Sequence, residues 1–359
     1  MMYRSSTHTP NLSQRSNMKS QQLSGNGRRI SAAVVAVGLA AALSACGTVG
    51  DDTAGGGSDD GTIRIAYIQK QGDQQYFVDQ AQGAADAAAE LGAEVTAINV
   101  GDDANDAISQ LDTVISQGYD AIAIVVPDQK IGPEVIKAAA DAGIPLVATD
   151  DAISDADGNP APFVGFDGRG MGEQVGGEAA RLFKETDWTA DNTRFLSVSK
   201  QDLQTCEDRV DGAYDAFTEA TGVSPERVIV GSDATNVDSQ DKAAAAITAN
   251  QGVENWVVVG CNDESETGAV TALQNAGFAP ANIIGVGLGA YLACKDWAAG
   301  VDSGNKAAIF VSGVAVGKAA VEVLVAAVKD GTDLPLNTIA DTYVVTPENW
   351  QDQAGLSCT

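Results

Sequence analysis

The chain has 359 residues, with 49 acidic against 21 basic side chains and a single histidine, His8. That length gives room for about two domains of ordinary size. Beyond His8 the chain has no Ser-His-Asp triad, no Cys-His pair and no histidine metal ligand. The acidity argues against nucleic acid or an anionic lipid surface as a partner of the folded part.

Residues 1–45 read as a lipoprotein signal peptide. They carry five basic residues (Arg4, Arg15, Lys19, Arg28, Arg29) and no acid, then an apolar run from Ile30 to Leu43, then Leu43-Ser44-Ala45-Cys46. A basic n-region, a short h-region and small residues before the cut describe a secretory signal. The apolar run is too short to span a membrane. Leu43–Cys46 resembles a bacterial lipobox, which implies cleavage before Cys46 and lipidation of Cys46. Met18 is an alternative start, and Arg28-Arg29 matches a twin-arginine signal poorly. Residues 46–61, the lipidated cysteine and a Gly/Ser/Asp run, form a flexible tether. Its fifteen residues after Cys46 reach about 50 Å at full extension. Beyond Cys46 the remaining 16 basic residues face all 49 acids, a net charge of −33.

From Thr62, short β-branched runs alternate with Ala-rich helical stretches. "TIRIAYI", "EVTAINV", "AIAIVV" and "PLVATD" are strands, and Tyr76–Leu91, Ala104–Gln117 and Gly132–Ala142 are the helices between them. Gly92, Gly118 and Gly143 stand where a C-cap glycine belongs. Most of these strands are apolar nearly throughout, as expected when helices cover both faces of a parallel sheet. The pattern then restarts with "RFLSVS", "RVIVGS", "WVVVGC" and "IIGVGL". Helices near Cys206–Ala220, Asp241–Asn250, Ser265–Ala276 and Tyr291–Ala299 go with them. "AAIFVS", a helix at Gly317–Val328 and "DTYVVTPENW" complete the chain. The fold class is therefore α/β, with two similar lobes, each a parallel sheet with helices on both faces. Ligands of such sheets sit beyond the carboxyl ends of the strands.

"GIPLVATDD" places Asp150 and Asp151 at one such end. The pair offers several acceptors and no donor. It suits a hydroxyl-rich ligand, a divalent metal, glycosidase carboxylates or, as is usual for two adjacent acids, a solvated turn. Other strand ends add Lys70, Gln74 and Tyr76, then Asp167, then Arg209, then Asn262-Asp263. Each alone reads as a cap or surface residue. A polar ring with aromatic faces around one cleft is how a monosaccharide is held. Adjacent acids on one strand end do not flank a bond at the ~5–9 Å that glycoside hydrolysis requires, so catalysis is not expected.

Two glycine patterns compete for attention. "GVGLGA" (Gly285–Ala290) fits a dinucleotide fingerprint but lies late in the second lobe with no ribose-binding acid in its context. "GRGMGE" (Gly168–Glu173) follows the expected crossover between lobes and reads as flexible backbone at a hinge. No C-x-x-C occurs; Cys206, Cys261, Cys294 and Cys358 form an even set compatible with two disulfides in three connectivities.

Distant segments in order ("KQGDQQYF", "VPDQKIGPEVI", "GIPLVATDD", "DLQTCEDRVDGAYDAF", "VVVGCNDESETG", "ANIIGVGLG") resemble the periplasmic sugar-binding proteins of ABC importers, type I fold. The resemblance runs from about Thr62 to Trp350 and is strongest to the arabinose-binding members. It implies sugar contacts at Lys70, Asp150 and Asp151 from one lobe and at Arg209 and Asn262 from the other. Four positions depart: Gln74 for a glutamate, Tyr76 for a tryptophan, Phe166 for a methionine, and Gly289 for a second asparagine, leaving a hydroxyl partner to Tyr291 or water. Sugar-responsive repressors share the fold, but a helix-turn-helix precedes their core.

The resemblance implies a three-crossing hinge near Asp167, Ile309 and Ile339, with lobes 62–167 plus 309–338 and 168–308 plus 339–359. It implies a monomeric, extracytoplasmic, non-enzymatic receptor anchored to the cell membrane by lipid alone. Its partners are a monosaccharide (an arabinose- or galactose-like aldose), an ABC permease and its ATPase, with no cofactor and no metal. A sensor subunit serving a chemoreceptor or sensor kinase is the alternative. All four cysteines then fall in the second lobe. Cys206 and Cys261 each sit beside an implied ligand, so the pairs expected are Cys206–Cys261 and Cys294–Cys358.

Overall fold

The computed structural model describes residues 61–358. The expected signal, Cys46 and the tether up to residue 60 lie outside the described residues. Among the described residues no helix is long and apolar enough to cross a membrane.

The first half builds β1 (Ile63–Gln69), α1 (Gln75–Leu91), β2 (Ala93–Asn99), α2 (Ala104–Ser116), β3 (Ala121–Ile124), α3 (Gly132–Ala142), β4 (Leu146–Thr149) and β5 (Phe163–Gly165). The second builds α4 (Gly168–Phe183), β6 (Thr193–Ser199), α5 (Gln204–Thr221), β7 (Glu226–Gly231), α6 (Asn236–Ala249), β8 (Asn255–Gly260), α7 (Asp263–Asn275), β9 (Ile283–Leu288), α8 (Ala293–Ala298) and β10 (Asn305–Val311). The chain ends through α9 (Gly313–Asp330), β11 (Thr338–Ile339) and β12 (Thr342–Val345).

Two six-stranded sheets result, ordered β11-β5-β4-β3-β1-β2 and β12-β10-β9-β8-β6-β7. Pairing is parallel except between β10 and β12. The central strands β3, β4, β8 and β9 are buried along their whole length, because helices lie on both faces. Helices end where glycine takes the left-handed conformation, at Gly92 (φ +70°) and Gly143 (φ +68°) among others.

The chain passes three times between sheets: from β5 into α4, from β10 into α9, and from β11 to β12. α9 packs on α1 of the first lobe, whereas α4 packs on α5 of the second. Ile309 pairs with Leu288 and Val344 inside the second sheet, so the chain leaves that sheet at Ser312 and not at Ile309. β11 stays with the first sheet through Ile339, a two-residue strand too short to show in a hydrophobic pattern.

The hinge reading of "GRGMGE" is corrected. Gly168–Glu173 lies wholly within α4, and a side chain at Gly172 or Gly176 would run into the carbonyls of Arg209 and Ala213 on α5. These glycines permit close helix packing. In "GVGLGA", Gly285 and Gly287 lie in β9 and leave room for the buried carboxyl groups of Glu266 and Asp263. Disulfides join Cys206 to Cys261 (Cα–Cα 4.8 Å) and Cys294 to Cys358 (Cα–Cα 5.4 Å).

Candidate functional site

In each sheet the strand order reverses direction around one strand, β1 in the first and β6 in the second. Open α/β sheets bind ligands at this switch point, outside the carboxyl ends of the strands. The residue after β1 is Lys70 and the residue after β6 is Lys200. Both line one cavity of about 80 Å³ between the sheets. About one water needs 10–15 Å³ on such a measure, so the space suits a handful of waters or one small polar molecule.

The first-lobe wall is tightly wired. Lys70 Nζ donates to Asp151 Oδ2 at 2.5 Å, with both side chains buried. Tyr76 Oη donates to Asp150 Oδ1 and Gln80 Nε2 to Asp150 Oδ2, each at 2.6 Å. Gln80 is oriented in turn by Gln69, whose Nε2 donates to Gln80 Oε1 at 3.1 Å. Burial lifts the Asp150 carboxyl to about 6; the Tyr76 and Gln80 bonds and Lys70 pull it down, and Asp151 pushes it up. Asp150 sits at φ +62°, a left-handed conformation that costs a side-chain-bearing residue about 1–3 kcal/mol. Among the described residues the other three non-glycine residues with positive φ are Gln71, Ala234 and Ala290. Gln71 and Ala234 line the same cavity, and Ala290 stands between its lining residues Gly289 and Tyr291. Backbone strain is thus collected around this cleft. Gln74 also lines the cavity, and its side chain makes no hydrogen bond to the described residues.

The second-lobe wall is looser. Arg209 Nη1 donates to the Cys261 carbonyl at 2.6 Å, and the guanidinium lies 4.6 Å over the Phe166 ring. Arg209 Nε is buried without a partner, while the fields of Asp151 and Asp150 reach the guanidinium from the facing wall. Asn262 caps α7: its Oδ1 accepts from Ser265 N–H and Ser265 Oγ, and its Nδ2 donates to the Ala234 carbonyl at 2.9 Å. Only one amide hydrogen is left for anything in the cavity. Gly289, at φ +113°, lines the cavity with backbone alone. The Cys206–Cys261 disulfide ties the segment bearing Arg209 to the one bearing Asn262.

Tyr76, Phe166 and Tyr291 close the deep end, with Tyr76 edge-on to Phe166 at 6.4 Å and to Tyr291 at 6.2 Å. Tyr291 is not a free hydroxyl partner. Its Oη donates to the Val311 carbonyl and accepts from Gly313 N–H, across the second crossing.

All nine sequence-derived contact positions therefore line one cavity: Lys70, Gln74, Tyr76, Asp150 and Asp151, then Phe166, Arg209, Asn262 and Gly289. Asp167 instead caps α4. Sequence reasoning missed several neighbours. Lys200 crosses the cleft to Asp102 at 2.9 Å, 98 residues away in the chain. Gln71 reaches the Asp233 carbonyl across the same mouth at 3.5 Å. The position of Lys200 just after "RFLSVS" is the same signal that picked out Lys70 after "TIRIAYI", and could have found it. Gln80 on α1 and Glu264 on α7 carried no such signal. Among the described residues no group of three or more His, Cys, Asp or Glu side chains could hold a metal ion.

Two lobes meeting strand end to strand end around a small polar cavity define a periplasmic binding protein, and the chain belongs to that family: residues 65–333 match the periplasmic binding protein domain. Among its relatives is the ABC transporter L-arabinose-binding periplasmic protein of Azospirillum brasilense, 29% identical over 299 residues, covering 81% of this chain and 89% of that one. The L-arabinose-binding periplasmic protein of Escherichia coli strain K12 is 25% identical over 328 residues, covering 89% and 95%. The fold also matches an ABC transporter periplasmic solute-binding protein from Actinobacillus succinogenes solved with bound D-allose. That match has a TM-score of 0.72 at 19% identity and covers 81% of this chain and all of the other.

Proposed function

We propose that this chain is a non-enzymatic, extracytoplasmic receptor that captures one monosaccharide between its lobes and delivers it to an ABC importer. Export and anchoring are assigned to the signal in residues 1–45 and lipidation of Cys46. The observation that carries the reading is the two-sided cavity, with buried acceptors and Lys70 on one wall, Arg209 and Asn262 on the other, and aromatic faces at its end. Such a set suits a ring rich in hydroxyls: carboxylates accept, the guanidinium fork and ammonium donate, and flat rings cover C–H faces. The arabinose-binding relatives favour an aldose. The three crossings, after Phe166, at Ser312 and after Ile339, serve as the hinge. Ligand that touches both walls binds the closed arrangement better than the open one.

Calorimetric titration of the full-length chain against aldopentoses and aldohexoses tests this. At least one is expected to bind with one site per chain. Binding of none of them contradicts the proposal.

A further inference from the structure

The second lobe offers no side chain at residue 289. Nor can Gly289 readily be replaced: its φ is +113°, and a Cβ there would stand 3.3 Å from the Tyr291 ring. On the facing wall, position 74 holds a neutral glutamine.

Glu264 brings a carboxylate to the second wall. It is the second residue of α7 and lines the cavity beside Asn262. Every other carboxylate lining that cavity has at least one oxygen engaged by another residue: Asp102 by Lys200, Asp150 by Tyr76 and Gln80, Asp151 by Lys70, and Asp263 by the Leu292 N–H through Oδ2, its Oδ1 being buried without a partner. No other described residue donates to the Glu264 carboxylate; the bonds from Asn236 and Thr267 end on its backbone carbonyl. Asp73, adjacent to Gln74, is the charged group whose field reaches Glu264. Gln74 also lines the cavity without a partner. Glu264 and Gln74, one per lobe and neither side chain bonded to another described residue, therefore line a space that also holds the unused donors of Arg209 and Asn262.

We infer that Glu264 is a specificity-determining residue whose carboxylate accepts a hydrogen bond from a hydroxyl of the bound sugar, a role that Gly289, having no side chain, does not fill. Glu264 is half-buried, and burial above all, with Asp73 adding and its own N–H opposing, lifts its carboxyl to about 7. Selectivity then follows from a simple asymmetry: an analogue without that hydroxyl leaves a half-buried carboxylate unmet, whereas one with it does not. The inference rests on the sugar-receptor reading above.

Its test compares the unaltered full-length chain with Glu264→Ala and Glu264→Gln, titrated with the best-bound aldose and with each of its monodeoxy analogues. In the unaltered chain, one analogue is expected to bind roughly 10- to 100-fold more weakly than the aldose because it lacks the hydroxyl held by Glu264. In Glu264→Ala the aldose itself weakens by a similar factor, and discrimination against that one analogue shrinks to about twofold or less, while discrimination against the others persists. Glu264→Gln keeps an acceptor and the side-chain length, so it shows the same pattern with a smaller loss and serves if the alanine variant does not fold. Equal weakening toward the aldose and all analogues overturns the inference, as does binding by both variants that matches the unaltered chain. Binding of no sugar by the unaltered chain overturns the receptor reading itself, and this inference with it.

Discussion

The two walls of the cleft are built from equivalent positions but wired differently. Lys70 follows β1 and Lys200 follows β6, yet Lys70 pairs inside its own lobe with Asp151 whereas Lys200 pairs across the cleft with Asp102. The first wall holds its acids with three donors from the same lobe, Lys70, Tyr76 and Gln80, and Gln69 orients Gln80. The second wall keeps unmet groups: Arg209 Nε and Asp263 Oδ1 are buried without a partner, one hydrogen of Asn262 is unspent, and no other described residue donates to the Glu264 carboxylate. The difference teaches a division of labour. A prewired wall fixes the acceptors before ligand arrives, at low ordering cost. A wall with unmet groups gains most when ligand and the opposite lobe arrive together, which is what couples capture to closure.

The largest expected effects come from cutting each wall at its charged centre. Asp151→Ala leaves Lys70 buried without its partner, and breaking a buried pair costs about 3–5 kcal/mol. Its sugar affinity should fall by about 100-fold or more, with a clear loss of thermal stability. Arg209→Ala removes donors that are spent less on the protein and should weaken binding by about 100-fold with a smaller change in melting temperature. Calorimetry and thermal melting on the same samples separate the two. Equal stability losses, or parent-like affinity in both variants, would break the contrast between a prewired and an unmet wall.

A gentler probe is pH. The one histidine, His8, lies outside the described body, so between pH 5 and 9 the body responds through its buried carboxyls. Burial raises Asp150 to about 6, Glu264 to about 7 and Asp263 to about 8, each above the value of a solvated carboxyl. The folded state then keeps protons that the unfolded chain has already released, so stability is greatest at the acid end and declines as pH rises toward 8. The melting temperature of the ligand-free chain should therefore fall between pH 5 and pH 8.5. Glu264→Gln should flatten that decline near pH 7, on the unmet wall alone. A melting temperature that climbs over the same range would show that these carboxyls ionise as freely as solvated ones.

Much of this architecture was legible because it is written in local rules. Apolar strands, helical spacing and C-cap glycines marked the two lobes, and α3 matches its expected span, Gly132–Ala142. The strand ends then pointed to Lys70, Asp150, Asp151 and Arg209 together. What escaped is what local rules do not encode. α6 starts five residues before its expected Asp241, because Thr235 caps it by accepting from the Asp238 N–H. Gly172 looked like flexibility because its partner, α5, lies some forty residues on. Asn262 read as a cap alone and as a sugar contact by resemblance, and only the folded helix shows that its Oδ1 is spent on Ser265. The Lys200–Asp102 pair needs the whole fold to bring its members together.

The central claim is that one small sugar bridges the two walls. Its most direct test is a crystal structure of the chain with its best-bound aldose. The account predicts a single pyranose in the cavity, with hydroxyl oxygens within hydrogen-bond distance of Asp151 on one side and Arg209 on the other, and a ring face against the aromatic end. A sugar seated outside the cleft, or one touching only a single wall, would contradict it.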